Sequence, residues 1–416
     1  MDRLCNFVKT MAMKRILVLM LAVCWVSACG DVTPENNKIK EGQPIVLTKG
    51  QTAVLEKGND FAFNLLRETQ AQFDGSNLFL SPMGVTIVAS MLANGANGPT
   101  YDEIVEAIGL KGYTLDQVND CYATLVSALY KVDRSVSFSL ANSIWAASDL
   151  TLHKQFRNNM EKTFDAESFS VDFGASGTLK QVNDWCSKKT SGLIPKMFDQ
   201  LSPLTRMLLI NALYFKGDWV YEFNKSATAE DDFQTLAGGT VKVPMMSLSG
   251  EMEAFQDKEV SLVKMPYGNG SFLMEAIAPN GDFKTFLAGL SLTRLQQWDL
   301  AAQKQQVTLR FPKFTAEFDT DEQLVAVLSR LGMKSAFIPE RADFSNMCSE
   351  PLFVSNFRQK TFVKLDEKGT EAAAVTVAEM RKNSASGLYL GFDRPFVYVI
   401  RESSTGAILF IGTRIK

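Results

Sequence analysis

The chain has 416 residues, 46% hydrophobic, 21% charged and 10% aromatic, with a formal net charge of −3. That profile belongs to a soluble globular protein and excludes a disordered or collagen-like chain. Its 43 basic residues against 46 acidic ones leave no basic excess for nucleic acid, and its one histidine, His153, would have to carry any Ser-His-Asp or Cys-His hydrolase alone.

The first apolar run is Ile16–Ala28, preceded by Lys14 and Arg15, with Met13 placed as the natural start. Thirteen residues are too few for a membrane-spanning helix but suit the apolar region of a secretory signal. The run ends in Val26-Ser27-Ala28-Cys29-Gly30, small residues directly before a cysteine, which resembles a bacterial lipobox. Residues 1–28 then read as a lipoprotein signal peptide and Cys29 as the acylated first mature residue; the alternative is an ordinary signal cleaved nearby, with Cys29 a bystander. Residues 29–45 are polar, carry Pro34, Asn36, Asn37 and Gly42, and have no apolar period, so they read as a flexible tether. The expected address is the bacterial cell envelope, lipid-anchored at the outer membrane or cell surface. Cys121, Cys186 and Cys348 remain in the mature part, an odd number at wide spacing that argues for buried thiols over a disulfide framework.

From residue 46 to 416 no linker, repeat or charge block interrupts the sequence, so it reads as one large domain. Apolar residues at helical spacing predict helices over Asn59–Gln70, Tyr101–Leu110 and Leu115–Tyr130. Ser135–Trp145, Arg206–Phe215, Val307–Phe311 and Arg394–Ile400 are β-rich, and Ala407–Ile411 follows the turn-like Ser404-Thr405-Gly406. Helices and strands mixed without βαβ regularity predict an α+β domain.

The most unusual stretch is Leu365–Met380. Read with period two, one face is Thr370, Ala372, Ala374, Thr376, Ala378 and Met380, while the other includes Glu371 and Glu379. Small residues on one side and charge on the other suit a strand over a core, yet three consecutive alanines favour strand only weakly, and Gly369 supplies a hinge. Such a segment suits a loop in one state and a central strand in another; a surface helix or edge strand is the plainer alternative.

These residues carry a resemblance. Glu367-Lys368-Gly369-Thr370-Glu371-Ala372-Ala373-Ala374 is similar to the hinge signature of inhibitory serpins. Asn77–Pro82, Asn211–Trp219, Asn356–Phe362 and Leu390–Val397 also resemble serpin motifs, in the family's order, from about residue 59 to the C-terminus. The resemblance implies a single serpin-like domain of three β-sheets, eight or nine helices and an exposed reactive loop. A target serine protease, or a cysteine protease in the same way, would cleave the loop, form an acyl-enzyme and be trapped as the cut loop inserts into the central sheet. It also implies a monomer that is not an enzyme and needs no cofactor or metal.

Family spacing puts the reactive bond at Asn383-Ser384, with Lys382 one residue earlier as the point presented to a trypsin-like enzyme. The neighbouring Arg381-Lys382 pair also reads as solvated charge, and Met380 would suit an elastase- or chymotrypsin-like enzyme with a shorter inserted strand. About 14 inserted residues make a strand near 46 Å, most of the roughly 55 Å width of the 388-residue mature chain. Ser81, Asn211 and Gln359 fall at the family's sheet-opening shutter. Two departures stand there: Gly84 replaces the usual serine and Gln359 the usual histidine, which puts the ease of opening in question. Trp219 reads equally as a residue at the top of the sheet or as a core packing contact, and His153 as a surface or interfacial residue. Two other functions stay open: a non-inhibitory serpin-fold binding protein at the cell surface, and a hydrolase using Cys186 or Cys348 with His153.

Overall fold

Thr48 starts the first helix with a reciprocal cap, its hydroxyl accepting from Gln51 N while Gln51 Oε1 accepts from Thr48 N. The fold is described from a computed structural model, which describes residues 42–370 and 387–416. Helix α1 (Lys49–Gln72) is followed by the short strand β1 (Leu78–Leu80) and by α2 (Pro82–Gly95), capped by Ser81 and opened by Pro82. All of α2 is buried, which explains why no amphipathic period marks it in the sequence. Helices α3 (Gly98–Ala107) and α4 (Leu115–Val132) then lead into β2 (Ser137–Ala147), α5 (Lys154–Phe164), β3 (Glu167–Val171), α6 (Thr178–Lys189) and β4 (Met207–Asp218).

A run of strands follows, β5 (Ala229–Gln234), β6 (Thr240–Gln256), β7 (Val260–Tyr267) and β8 (Phe272–Pro279), and then α7 (Phe283–Gly289) and α8 (Leu292–Ala301). The chain continues through β9 (Gln303–Pro312), β10 (Phe314–Asp319), α9 (Gln323–Arg330), β11 (Lys360–Leu365) and β12 (Gly369–Thr370). After the undescribed residues come β13 (Leu388–Gly391), β14 (Phe396–Glu402) and β15 (Ile408–Arg414). The nine helices among the described residues include each predicted one, with α1 beginning ten residues before the expected Asn59. All five predicted strands are present.

One sheet has the order β10-β11-β12-β4-β2-β3. The remaining nine strands form a second ladder that divides at the 17-residue β6. The first part of β6 pairs with β5 and β9, and β9 with β13; its last residues, Ala254–Gln256, pair with β7, which continues into β8, β14, β15 and β1. The result is three sheets, two of them sharing β6. Every residue of β14 is buried, as expected of a strand covered on both faces. The core lies between these sheets and α1 and α2, and Asn59 of α1 ties it to the C-terminal hairpin by donating to Gly406 O and accepting from Ile408 N.

Candidate functional site

The six-stranded sheet is held apart at its middle by the shortest of its strands. After β11 the chain reverses over Asp366-Glu367-Lys368, and β12 returns between β11 and β4: Thr370 is opposite both Leu365 and Gly217, and Gly369 is opposite Asp218. Gly369 has φ +150°, and a β-carbon there would run into the Gly217 carbonyl oxygen and lie 2.7 Å from Asp218 Cα. No other residue fits this position.

The reversal is tied down by its neighbours. Trp219 donates its backbone N–H to Lys368 O at 2.5 Å and its indole N–H to Asp366 O at 3.0 Å, while its ring stacks on Tyr267 at 4.2 Å. Phe223 N donates to Glu367 O at 2.7 Å. The buried Glu367 carboxylate accepts from Lys313 Nζ at 2.7 Å and Thr228 Oγ1 at 2.9 Å. Burial alone would raise this carboxyl, but the hydrogen bonds and positive charge of Lys313, with that of Thr228, outweigh it and hold the group below its usual range. Trp219 is thus both of the things the sequence allowed: it packs on Tyr267 and it marks the end of the sheet where the hinge turns.

Beyond β12 the sheet continues with β11 on one side and β4 on the other. Along Met207–Lys216 β4 pairs with β2, and along Lys360–Phe362 β11 pairs with β10. Towards the Met207 end the space opens into a groove of about 380 Å³, floored by Gly84, Val88 and Leu92 of α2 and flanked by Leu209, Phe357 and Gln359.

Polar groups gather at this floor. Gln359 clasps the Ser81 peptide from both sides: its Oε1 accepts from Ser81 N and its Nε2 donates to Ser81 O, both at 2.9 Å. Ser81 Oγ accepts from Gly84 N at 3.1 Å and caps α2. Asn211 reaches the same place but donates to Asn142 Oδ1 at 2.8 Å, and Asn142 donates to Phe164 O. The structure therefore joins Gln359 with Ser81 and links Asn211 to the neighbouring strand. Gly84 lies at the centre: a β-carbon would sit 2.5 Å from Asn211 Oδ1, 3.2 Å from Ser81 Oγ and 3.3 Å from Gln359 Nε2. The missing side chain leaves no gap, because the Asn211 amide occupies that space.

Glu367, Gly369, Ser81, Asn211 and Gln359 are thus placed at two ends of one slot, as is the backbone of Thr370. Glu371, Ala372, Ala373, Ala374, Lys382, Asn383 and Ser384 lie outside the described residues, as does Cys29. Sequence reading missed Lys313, Thr228 and Asn142. The first two carry no local signal, lying 54 and 139 residues from Glu367; Asn142, a polar residue within a β-rich run, could have been noticed.

The hydrolase reading meets the wrong chemistry. Leu152 bridges Cys348, so His153 is close by, but its ring faces Ser349 Oγ at 3.2 Å, and Cys348 Sγ is directed at Glu350 O. Burial pushes the Cys348 thiol up and the Cys186 thiol up to about 12, the opposite of an activated nucleophile. Cys121, Cys186 and Cys348 are all buried and unpaired.

Residues 56–416 match the family model described as Serpin (serine protease inhibitor). The chain is a serpin. Serpin B10 of Mus musculus is 30% identical over 386 residues, covering 85% of this chain and 97% of its own. The alpha-1-antiproteinase of Rattus norvegicus is 30% identical over 409 residues, covering 96% and 98%. Among solved structures, the thermophilic serpin tengpin in its native state superposes with a TM-score of 0.81 at 27% identity, over 90% of this chain and 97% of its own. Human thyroxine-binding globulin, solved with thyroxine, gives 0.80 at 29% identity, over 88% and 99%. Membership supports protease inhibition in general, although the last relative is a serpin described by the thyroxine it binds.

Proposed function

We propose that this serpin is an inhibitory member, a suicide substrate for trypsin-like serine proteases held at the cell envelope by a lipid on Cys29. The observation that carries the reading is the hinge: Glu367–Lys368 turn the chain back, and Gly369–Thr370 begin a strand between β11 and β4. The residues that follow put Ala372, Ala374, Thr376 and Ala378 on the inward face, so nothing bulky or charged opposes burial.

In this reading the protease serine attacks the carbonyl carbon of the reactive bond near Asn383-Ser384, and the bond to the amine of the following residue breaks. The acyl-enzyme is left on the new C-terminus. Insertion of the freed strand carries it toward the groove end before water completes hydrolysis. Lys382, the basic residue nearest the bond, sets trypsin-like preference.

The test incubates the mature protein with a small panel of serine proteases, followed by denaturing gels and sequencing of the released C-terminal peptide. A covalent complex with a trypsin-like enzyme, strongly weakened by Lys382→Ala, is the expected result. Cleavage without any complex would instead favour a non-inhibitory binding protein. Metabolic labelling with a fatty acid tests the address separately: native protein should be labelled and Cys29→Ala should not.

A further inference from the structure

The folded unit fixes where the tether leaves it. A β-carbon on Gly42 would fall on Ser271 Oγ, 3.0 Å from Asn269 Nδ2 and 3.1 Å from Val132 O, and Ile45 N donates to Ser404 Oγ at 2.9 Å. Residues 42–45, at the end of the expected tether, therefore already lie against the body. Asn269 N donates to Asp133 Oδ2 at 2.8 Å and Gly268 N to Asp218 O at 2.9 Å. Asp218 is the residue that pairs with the hinge glycine, Gly369.

Gly42 and the hinge are thus joined through Ser271, Gly268 and Asp218. With every step at full stretch this path is no longer than about 30 Å, in a body roughly 55 Å across. The groove is at the opposite end of β4, whose 12 residues rise about 36 Å. Thirteen residue steps separate Cys29 from Gly42, and in any conformation they reach no further than about 45 Å. The tether therefore leaves the body no more than about 30 Å from Gly369, where the hinge of the reactive loop begins. A tether leaving from the groove end would instead present the loop outward, away from the lipid.

We propose that the anchored inhibitor selects its proteases by size, trapping compact single-domain enzymes and excluding bulky ones that the same loop traps in free solution. A protease of about 230 residues is about 45 Å across, close to the full reach of the tether, so a substantially wider enzyme is blocked by the membrane. The inference rests on the reading of Cys29 as the lipid attachment point and of this serpin as an inhibitor.

The test starts with the chain from Cys29 onward, coupled through that thiol to maleimide-bearing lipid vesicles; Cys121, Cys186 and Cys348 are buried and spared. Rates of covalent complex formation are measured with free trypsin and with trypsin linked to a large inert dextran, for vesicle-bound and soluble inhibitor. A third form carries a 30-residue Gly/Ser spacer between Asn36 and Asn37. Free trypsin should react with both forms within about threefold. Dextran-linked trypsin should react at least tenfold more slowly with the vesicle-bound form only, and the spacer should restore most of that loss. Equal rates for the bulky enzyme on vesicles and in solution, or a spacer without effect, would overturn the proposal. Soluble protein that traps neither form of trypsin would overturn it together with the trypsin-like inhibitory reading. Failure of fatty-acid labelling in cells would overturn the proposal together with the lipid reading, whereas equal vesicle and solution rates overturn the proposal alone.

Discussion

Glu367 and Thr370 sit three residues apart and fail in different ways when changed. Glu367→Lys sets a second ammonium against Lys313 Nζ and removes the acceptor for Thr228, in a position only 7% exposed. Breaking such a pair costs about 3 kcal/mol, and here the cost falls on the closed hinge. The variant should unfold earlier and lose inhibitory activity on storage, measured by thermal scans and by residual complex formation after incubation. Because the Glu367 carboxyl is held below its ordinary range, its contribution is complete above about pH 4.3 and fades as pH falls through the lowered value. Asp319, gripped by Arg358 at 2.8 and 2.5 Å, has the same sign: burial raises its carboxyl, and hydrogen bonds from Arg358, the Asp321 N–H and Lys360, with the Arg358 charge, together more than offset this. Thermal midpoints should therefore owe little to these two groups between pH 7 and 5, then fall below pH 4, and Glu367→Gln should flatten part of that acid slope. Thr370→Arg acts later. It leaves the hinge ties in place but puts a charge on the face to be inserted, so cleavage should continue while the yield of covalent complex falls at least tenfold on gels. Undiminished yield would rule out insertion as the trapping step.

Among the elements, α2 and the pair β10–β11 form the floor and one wall of the slot, and Gln359 joins them. Gln359→Ala leaves Ser81 N without its acceptor, while Ser81 O keeps Val85 N as donor, a loss of about 1–3 kcal/mol. At roughly 0.8 kcal/mol per degree for the 375 residues from 42 to 416, the midpoint should drop by about 1–4 °C, a shift calorimetry resolves. The sequence allowed this contact but not its form: a glutamine can donate and accept, yet nothing local says that it grips a backbone 278 residues away. Strands with strong alternation or apolar runs were legible, as were the helices with one polar face. Helix α2 was not, because burial on every side erases the period. The first turns of α1 were missed because Gly50 and Gly58 weaken the pattern, and the Thr48–Gln51 cap compensates in a way that composition hides. Gly84 was readable only as a missing serine hydroxyl, whereas its neighbours show a site where any side chain would force Asn211 aside.

At the scale of the whole molecule, entry of one more strand between β11 and β4 should make the six-stranded sheet more stable. A central strand of about ten residues adds roughly 20 backbone hydrogen bonds at about 1 kcal/mol each and gives back about 10–15 kcal/mol in chain ordering. The net gain of roughly 5–10 kcal/mol should raise the midpoint of loop-cleaved protein by about 6–13 °C over the intact form. Differential scanning before and after limited cleavage checks this, and an unchanged midpoint would mean that the loop does not enter the sheet. The hinge also carries its own optical probe. Of the described tryptophans, Trp219 is the one whose indole is bonded to the reversing chain, and it lies flat on Tyr267. When the turn over Asp366–Lys368 straightens, that hydrogen bond and stacking must rearrange together. The emission of a single indole in Trp145→Phe, Trp185→Phe, Trp298→Phe protein would then time strand entry directly, protease by protease, in a stopped-flow trace.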